Sequence, residues 1–375
     1  AAKRPVALVG GGVAWAGAQE LLIQLAEHLA MPVAASRGNK GIIPEDHPLA
    51  LGVVGTDAIP YSIETFQEAD LLLAVGTALD EFTTARFGYK VIPKKAKIIQ
   101  VDMDPAEIGK IYPVDVGIMG DARNVIEELL REVKERKPRR KDWEKEPQVK
   151  ELLSRKKLFE EKVHLQKTSN KVPIQRFRLM HDLRQALPRD VIVSAESGST
   201  SQWFEYGFPA YVHTTQIGGW HPMGSEYCES LGAQVALPDK RIVCVTGDGS
   251  IMMSLQELAT AVTYKIPVIC VVSHNNLFGN MHYSQMQRFG ARYIGTNINV
   301  PNLANIAKEF GAYGERVEKP DQIIPAVRRA LDSGKPALLD VILDTSPENL
   351  APPGSITEAG HFEKEEKTLS ARSAD

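Results

Sequence analysis

The sequence predicts an α/β protein of two doubly wound, mostly parallel-sheet domains joined by a charged linker. Three observations carry this reading. Short apolar runs alternate with longer helical patterns through residues 1–135, the alternation returns over residues 173–345, and the stretch between is dense in lysine, arginine and glutamate. With 375 residues, 43% of them hydrophobic, the chain can bury two ordinary cores. Residues 346–375 read as a tail, proline-bearing from Ala351 and then charged.

In the first domain, strands are expected at Val6–Val9, Pro32–Ala35, Leu71–Val75 and Lys97–Val101, where apolar runs are too short for helices. Helices are expected at Ala18–Leu29 and, closing the domain, at Ala122–Val133. Gly10, Gly11, Gly12 and Gly17 imitate a dinucleotide fingerprint, but the third glycine is misplaced for G-x-G-x-x-G and no acidic partner follows at a fixed place. Residues 136–172 form the linker. Their mixed charge and few large apolar side chains describe a solvated connector with helical stretches.

The second domain opens with a helix at Gln175–Leu187 and a strand at Val191–Ser194. A buried strand follows at Arg241–Thr246 and runs into Gly247-Asp248-Gly249-Ser250. Ser254 with Glu257 has the spacing of a capping box, and Leu255, Leu258, Ala259 and Val262 supply an apolar stripe for the helix behind it. The next strand, Pro267–Ser273, leads to Asn275-Asn276. Helices near Leu303–Phe310 and Gln322–Asp332 and a strand at Ala337–Ile342 complete the domain.

A right-handed strand-helix-strand connection brings the carboxyl ends of the Arg241–Thr246 and Pro267–Ser273 strands to one sheet edge, where open α/β sheets bind ligands. Asp248 and Asn276 could then share a cation. Gly247, Gly249 and Ser250 are small enough for backbone amides to approach an anion, while a carboxylate and an amide oxygen suit octahedral Mg²⁺ shared with phosphate oxygens.

GDGSIMMSLQELATAVTYKIPVICVVSHNN resembles the diphosphate-and-magnesium motif of thiamine-diphosphate enzymes of the acetolactate synthase and pyruvate decarboxylase type. RPVALVGGGV, GNKGIIPEDHPLALG, ADLLLAVGT and IIQVDMDPAEIGK are similar to the central domain of the same superfamily. The resemblance implies Asp248, Asn276 and the carbonyl of Phe278 as metal ligands. It also implies Ser199 and Thr200 near the terminal phosphate, in a loop whose hydroxyls and amides suit phosphate oxygens. Met223 would wedge the cofactor into its bent shape, and the carbonyl of His221 would accept a bond from its exocyclic amine. Gly279 opens the stretch that in relatives lines the substrate cavity, and His282 is a candidate proton carrier or carboxylate partner. This chain departs from the family at His221, commonly glycine, and at Ser225-Glu226-Tyr227-Cys228-Glu229, commonly a Gly-Leu-Pro run. By analogy FAD or ADP could occupy the central domain, although Gly52-Val53-Val54-Gly55-Thr56 matches the flavin-contacting loop only loosely.

A net charge of −3 and a pI near 6.4 argue against a nucleic-acid role. Cys228, Cys244 and Cys270 form no C-x-x-C and read as reduced packing residues. No apolar stretch is long enough to span a bilayer, and the first residues lead into a strand rather than a signal sequence, so a cytoplasmic enzyme is expected.

The resemblance implies a thiamine-diphosphate- and Mg²⁺-dependent lyase or carboligase acting on a 2-oxo acid, nearest to acetolactate synthase. Non-oxidative 2-oxo acid decarboxylation and 2-hydroxyacyl-CoA cleavage are the alternatives, and a non-catalytic nucleotide-binding scaffold subunit is the alternative of another class. In this superfamily the activating glutamate comes from a pyrimidine-binding domain ahead of the central one. The expectation is that another chain, or a removed segment, supplies it within a hetero- or homo-oligomer such as a dimer of dimers.

Overall fold

The computed structural model describes residues 2–136, 142–195, 198–213 and 222–355. The chain divides into two compact units, residues 1–164 with 209–214, and residues 165–208 with 215–375.

The first unit is built on six strands, β1 (Pro5–Val9), β2 (Val33–Ala35), β3 (Ala50–Val53), β4 (Leu71–Val75), β5 (Lys97–Asp102) and β6 (Val116–Met119). They lie in the order β3-β2-β1-β4-β5-β6, every pair parallel. β1 is buried along its whole length, as a strand covered on both faces must be. The coverings are α1 (Gly11–Trp15), α2 (Gln19–Leu29), α3 (Pro60–Gln67) and α4 (Ala122–Arg136). Leu22, Leu25 and Ala26 of α2 share one core with Ile126 and Leu130 of α4 and with Val9 and Val75 of the sheet. β3 and β6 carry no strong apolar signal. β3 is four residues interrupted by Gly52, and no residue of the edge strand β6 is buried.

Most of the charged segment packs with the first unit. After a short 3₁₀ turn at Trp143–Lys145 comes α5 (Pro147–Lys167), a 21-residue helix that buries only Val149, Leu152 and Val163. Polar contacts hold it instead. Arg4 reaches Glu151 at 2.8 Å, Arg155 reaches Glu68 and Glu151 at 2.6 Å each, and Lys156 Nζ donates to the carbonyl of Pro48 at 3.0 Å. Trp143 stacks on His47 with ring centres 5.6 Å apart.

The second unit has five strands, β7 (Ile192–Ala195), β8 (Ile242–Gly247), β9 (Ile269–His274), β10 (Tyr313–Val317) and β11 (Ala337–Ile342). Their order is β10-β11-β9-β8-β7, again all parallel. Both sheets therefore have the predicted class. Around the second lie α6 (Arg176–Ala186), α7 (Ser199–Gly207), α8 (Ser225–Ala236), α9 (Asp248–Ile251), α10 (Glu257–Thr263), α11 (Gly279–Arg288), α12 (Leu303–Glu309) and α13 (Ile323–Ser333). Tyr227, Ile251, Leu258 and Leu303 join Cys244, Cys270 and Leu338 of the strands in one core. Cys244 and Cys270 face each other in register and are buried free thiols, whereas the free thiol of Cys228 is exposed. Among the described residues no helix is long and apolar enough to cross a membrane.

The expected capping box does not form. Glu257 turns to Thr260, whose Oγ1 donates to it at 2.7 Å, and the buried Ser254 Oγ has no hydrogen-bond partner among the described residues. A run of turns after α9 delays the start of α10 to Glu257, so Ser254 is no longer the cap. The helix also faces the core differently, with Leu258 and Ala261 buried and Ala259 exposed.

Candidate functional site

β8 and β9 are neighbours, with Gly247 in register with Ser273, and their carboxyl ends meet at one sheet edge. There Asp248, the first residue of α9 and 1% exposed, reaches across to the next strand tip. Its Oδ2 accepts the N–H of Asn275 at 2.8 Å and that of Asn276 at 2.5 Å, and its Oδ1 accepts the N–H of Gly249 at 2.9 Å. Burial pushes the carboxyl above its usual range, opposed by these amides and by the charge of His274.

Asn276 sits at φ 57°, in the left-handed region that asparagine tolerates better than most residues. Its Oδ1 accepts the N–H of Val300 at 3.0 Å and lies 3.3 Å from His274 Nε2. Beyond it, Phe278 donates its N–H to the carbonyl of Thr296 at 2.8 Å, and its own carbonyl accepts the N–H of His282 at 2.9 Å. A Cβ on Gly249 would lie 2.6 Å from the Phe278 ring, so the bend after Asp248 requires glycine there.

Ser199 and Thr200 are buried at the start of α7, after Gly198 at φ 96°. Ser199 faces Gly279, where an added Cβ would come within 2.6 Å of the Ser199 Oγ. Ser250 Oγ accepts the N–H of Gly224 at 2.8 Å, which sets the segment carrying Met223 beside the Asp248 turn. Met223 itself is 39% exposed. The fold thus brings Ser199 to Gly279, and Gly224 to Ser250, around the tips of β8 and β9. His221 lies outside the described residues.

His282 is engaged on both sides. Its Nδ1 is 2.9 Å from Thr296 Oγ1 and its ring stacks on Tyr293 at 3.8 Å between centres. Burial lowers its pKa, which favours the neutral imidazole.

The donor set fits a hard divalent ion and a diphosphate. The Asp248 carboxylate, the Asn276 amide oxygen and the Phe278 carbonyl are all oxygen donors of the kind Mg²⁺ takes, on the turn after β8 and the loop after β9, although here Asn276 Oδ1 accepts from Val300 and the Phe278 carbonyl from His282. The buried Asn275 Nδ2 has no hydrogen-bond partner among the described residues and is a donor available to an anion. No group of three histidine, cysteine, aspartate or glutamate side chains suited to a metal occurs among the described residues.

Two buried polar clusters behind these loops were not found by sequence reasoning. Glu226 Oε1 accepts from Thr246 Oγ1 at 2.5 Å, one residue before Gly247. His274 Nδ1 lies 2.6 Å from Asp340 Oδ1, and Asp340 Oδ2 takes Arg316 Nη1 at 2.9 Å and the N–H of Leu303 at 3.2 Å. Burial pulls the His274 pKa down, but the hydrogen bond and charge of Asp340 outweigh it and leave it raised. The available signal was a charged residue inside an apolar strand run, His274 after VICVVS and Asp340 within ALLDVI. Their pairing needed the β9–β11 contact, which chain order does not reveal.

Two parallel α/β units, the second with an aspartate and an Asn-Asn pair on adjoining strand tips beside a Ser-Thr helix start, describe a cofactor-dependent enzyme of the diphosphate-binding kind. Residues 1–129 match the thiamine pyrophosphate enzyme central domain, and residues 196–341 match the thiamine pyrophosphate enzyme C-terminal TPP binding domain. The chain belongs to the thiamine pyrophosphate enzyme family. It is 33% identical over 374 residues to a probable acetolactate synthase large subunit of Methanococcus aeolicus, covering 94% of this chain and 60% of the relative. The acetolactate synthase large subunit of Haemophilus influenzae is 31% identical, with 92% and 60% covered. The sulfoacetaldehyde acetyltransferase of Castellaniella defragrans is 30% identical, with 88% and 58% covered. The chain thus spans about 60% of the length of the curated relatives it matches.

Proposed function

We propose that this chain provides the central and diphosphate-binding domains of a thiamine-diphosphate- and Mg²⁺-dependent carboligase that acts on a 2-oxo acid in the manner of acetolactate synthase. The observation that carries the proposal is the Asp248 carboxylate held between the tips of β8 and β9 by the N–H groups of Asn275 and Asn276. The bound cofactor supplies the carbanion chemistry that a side chain cannot.

The chain's own residues bind and orient. Asp248, the amide oxygen of Asn276 and the carbonyl of Phe278 are the proposed ligands of the cation. Ser199, Thr200, Gly279 and the small residues Gly247, Gly249 and Ser250 are proposed to cradle the diphosphate. Met223 is proposed as the apolar support beneath the cofactor rings, and His282 as the group that acts on a substrate carboxylate. A pyrimidine-binding domain supplying a glutamate is proposed to complete the site, within an oligomer whose protomers share it.

Resemblance to acetolactate synthase large subunits over nearly the whole chain supports ligation over simple decarboxylation. The test begins with thiamine diphosphate binding to the 375-residue chain with and without Mg²⁺. Binding that needs the cation and is lost in Asp248→Asn is the expected result. Binding indifferent to both would end the proposal. Product analysis of the complete assembly, fed pyruvate with and without a second 2-oxo acid or an aldehyde, then decides the reaction.

A further inference from the structure

The first N–H groups of a helix need acceptors from outside it. At α6 the residue in the capping position, Gln175, makes no side-chain bond of that kind. Asn349, 173 residues past Arg176, supplies one. Its Oδ1 accepts the N–H of Arg176 at 2.9 Å, its Nδ2 donates to the carbonyl of Asp344 at 2.8 Å, and its own carbonyl accepts from Arg176 Nη1 at 3.3 Å. Asn349 is buried, so both ends of its amide are committed inside the protein. It belongs to a strap, residues 343–355, that lies past residue 341, where the match to the C-terminal TPP binding domain ends. No residue of the strap is among the proposed ligands.

The strap reaches three of the segments that build the site. Leu343 donates its N–H to the carbonyl of His274 at 2.8 Å, one residue before Asn275-Asn276, and Asp344 donates to the carbonyl of Ile174 at 2.9 Å. Leu350 and Ala351, both buried, pack with Leu277, Tyr283 and Met286, and so against the loop and helix that follow Asn276. The carbonyl of Pro353 accepts the hydroxyl of Tyr206, in the last turn of the helix that Ser199 and Thr200 begin, at 2.5 Å. Arg176, held by Asn349, has Nη2 3.9 Å from where a Cβ on Gly279 would stand, the point that lies 2.6 Å from Ser199 Oγ. One segment thus ties α6, α7 and α11 to the tip of β9.

We propose that the strap is a clasp for the cofactor site, with Asn349 as its positioning residue, and that it holds the Ser199 and Gly279 helices in the arrangement the diphosphate cradle needs. This rests on the reading of that cradle as a thiamine-diphosphate site. Such coupling is reciprocal. If the docked strap raises cofactor affinity by some factor, bound cofactor tightens the strap by the same factor, typically about 5- to 150-fold.

The test uses the full 375-residue chain with Mg²⁺ and reads binding rather than turnover. Calorimetric titration of Asn349→Ala with thiamine diphosphate is expected to show affinity weakened about 5- to 150-fold. Hydrogen exchange of the unsubstituted chain, followed in peptides spanning residues 343–355, is expected to slow by a similar factor at saturating thiamine diphosphate and Mg²⁺, and not to slow in Asp248→Asn. Together these results support the proposal. Strap exchange indifferent to the cofactor overturns it, even where Asn349→Ala binds weakly or fails to fold, because plain loss of structure weakens binding without the reciprocal effect. Equal affinity in Asn349→Ala and the unsubstituted chain overturns it as well. Asp248→Asn that binds thiamine diphosphate as tightly as the unsubstituted chain overturns the cofactor reading itself, and this proposal with it.

Discussion

Gly249 and Phe278 are in contact so close that no side chain fits between them: a Cβ on Gly249 would stand 2.6 Å from the ring of Phe278. The residue after the buried aspartate and the residue whose carbonyl is a proposed ligand are thus packed as a pair. Gly249→Ala must push the ring away and drag the start of α11 with it. The expected result is a loss of about 1–3 kcal/mol of stability from overpacking, together with weaker Mg²⁺-dependent binding of thiamine diphosphate. Chemical denaturation and calorimetric titration would read the two effects separately.

Asp248→Ala should damage the protein even without cofactor. The carboxylate is the acceptor for three backbone N–H groups, of Gly249, Asn275 and Asn276, and alanine leaves them without it. A buried donor left unsatisfied costs about 1–3 kcal/mol. A urea midpoint equal to that of the unsubstituted chain would contradict this account. Asp248→Asn, which keeps an acceptor oxygen, is expected to lie between the two.

Thr246→Val removes the hydroxyl that donates to Glu226 and leaves a buried carboxylate without that bond. The substitution is nearly isosteric, so lost volume does not enter. We expect a destabilisation of about 1–3 kcal/mol, measurable by thermal unfolding, and its partial recovery in the double variant Thr246→Val with Glu226→Gln, where no charge is stranded.

Lys156 gives a pH dependence. Burial lowers its pKa to about 8, against a weaker opposing pull from Glu45. A lysine whose folded pKa lies below its unfolded value of 10.5 is charged in both states at neutral pH, and there the folded state carries the full cost of burying the charge. Between about pH 8 and pH 10.5 the folded chain sheds the proton first, so this cost declines as pH rises. Lys156→Met should therefore show a smaller gain in urea midpoint between pH 7 and pH 9.5 than the unsubstituted chain. Equal gains would show that Lys156 does not titrate in that range.

How much of this was legible in the sequence depends on the range of the interaction. The strands at Leu71–Val75 and Ala337–Ile342 were read with their observed bounds, because a short apolar run between turns is a local signal. β6 was missed because an edge strand with no buried residue carries no such signal. The linker was read as a connector with helical stretches and α5 is one, but its packing was not foreseen, because contacts such as Arg155 with Glu68 come from residues far along the chain. At the site, the spacing of Asp248 and Asn276 together with the right-handed crossover rule was enough to place the two residues at adjoining strand tips. The cap at Ser254 failed for the opposite reason. Its spacing was right, but α9 and the turns behind it consumed the residues that would have let the helix begin there. The His274–Asp340 pair was invisible because β11, which carries Asp340, is inserted between β9 and β10 by the sheet order.

The three thiols of the second unit are unequally placed, and that inequality offers a natural handle. Cys244 and Cys270 are sealed between sheet and helices, while Cys228 opens to solvent in the first turn of α8, four residues past the glycine that docks on Ser250. A maleimide dye should therefore attach once per chain without mutagenesis. Attachment should be slow and quicker at alkaline pH, since burial and the carboxylates of Glu257 and Glu226 hold this thiol above its usual pKa. A fluorophore so mounted would sit beside the Asp248 turn and report on its occupancy from a position that none of the proposed ligands occupies.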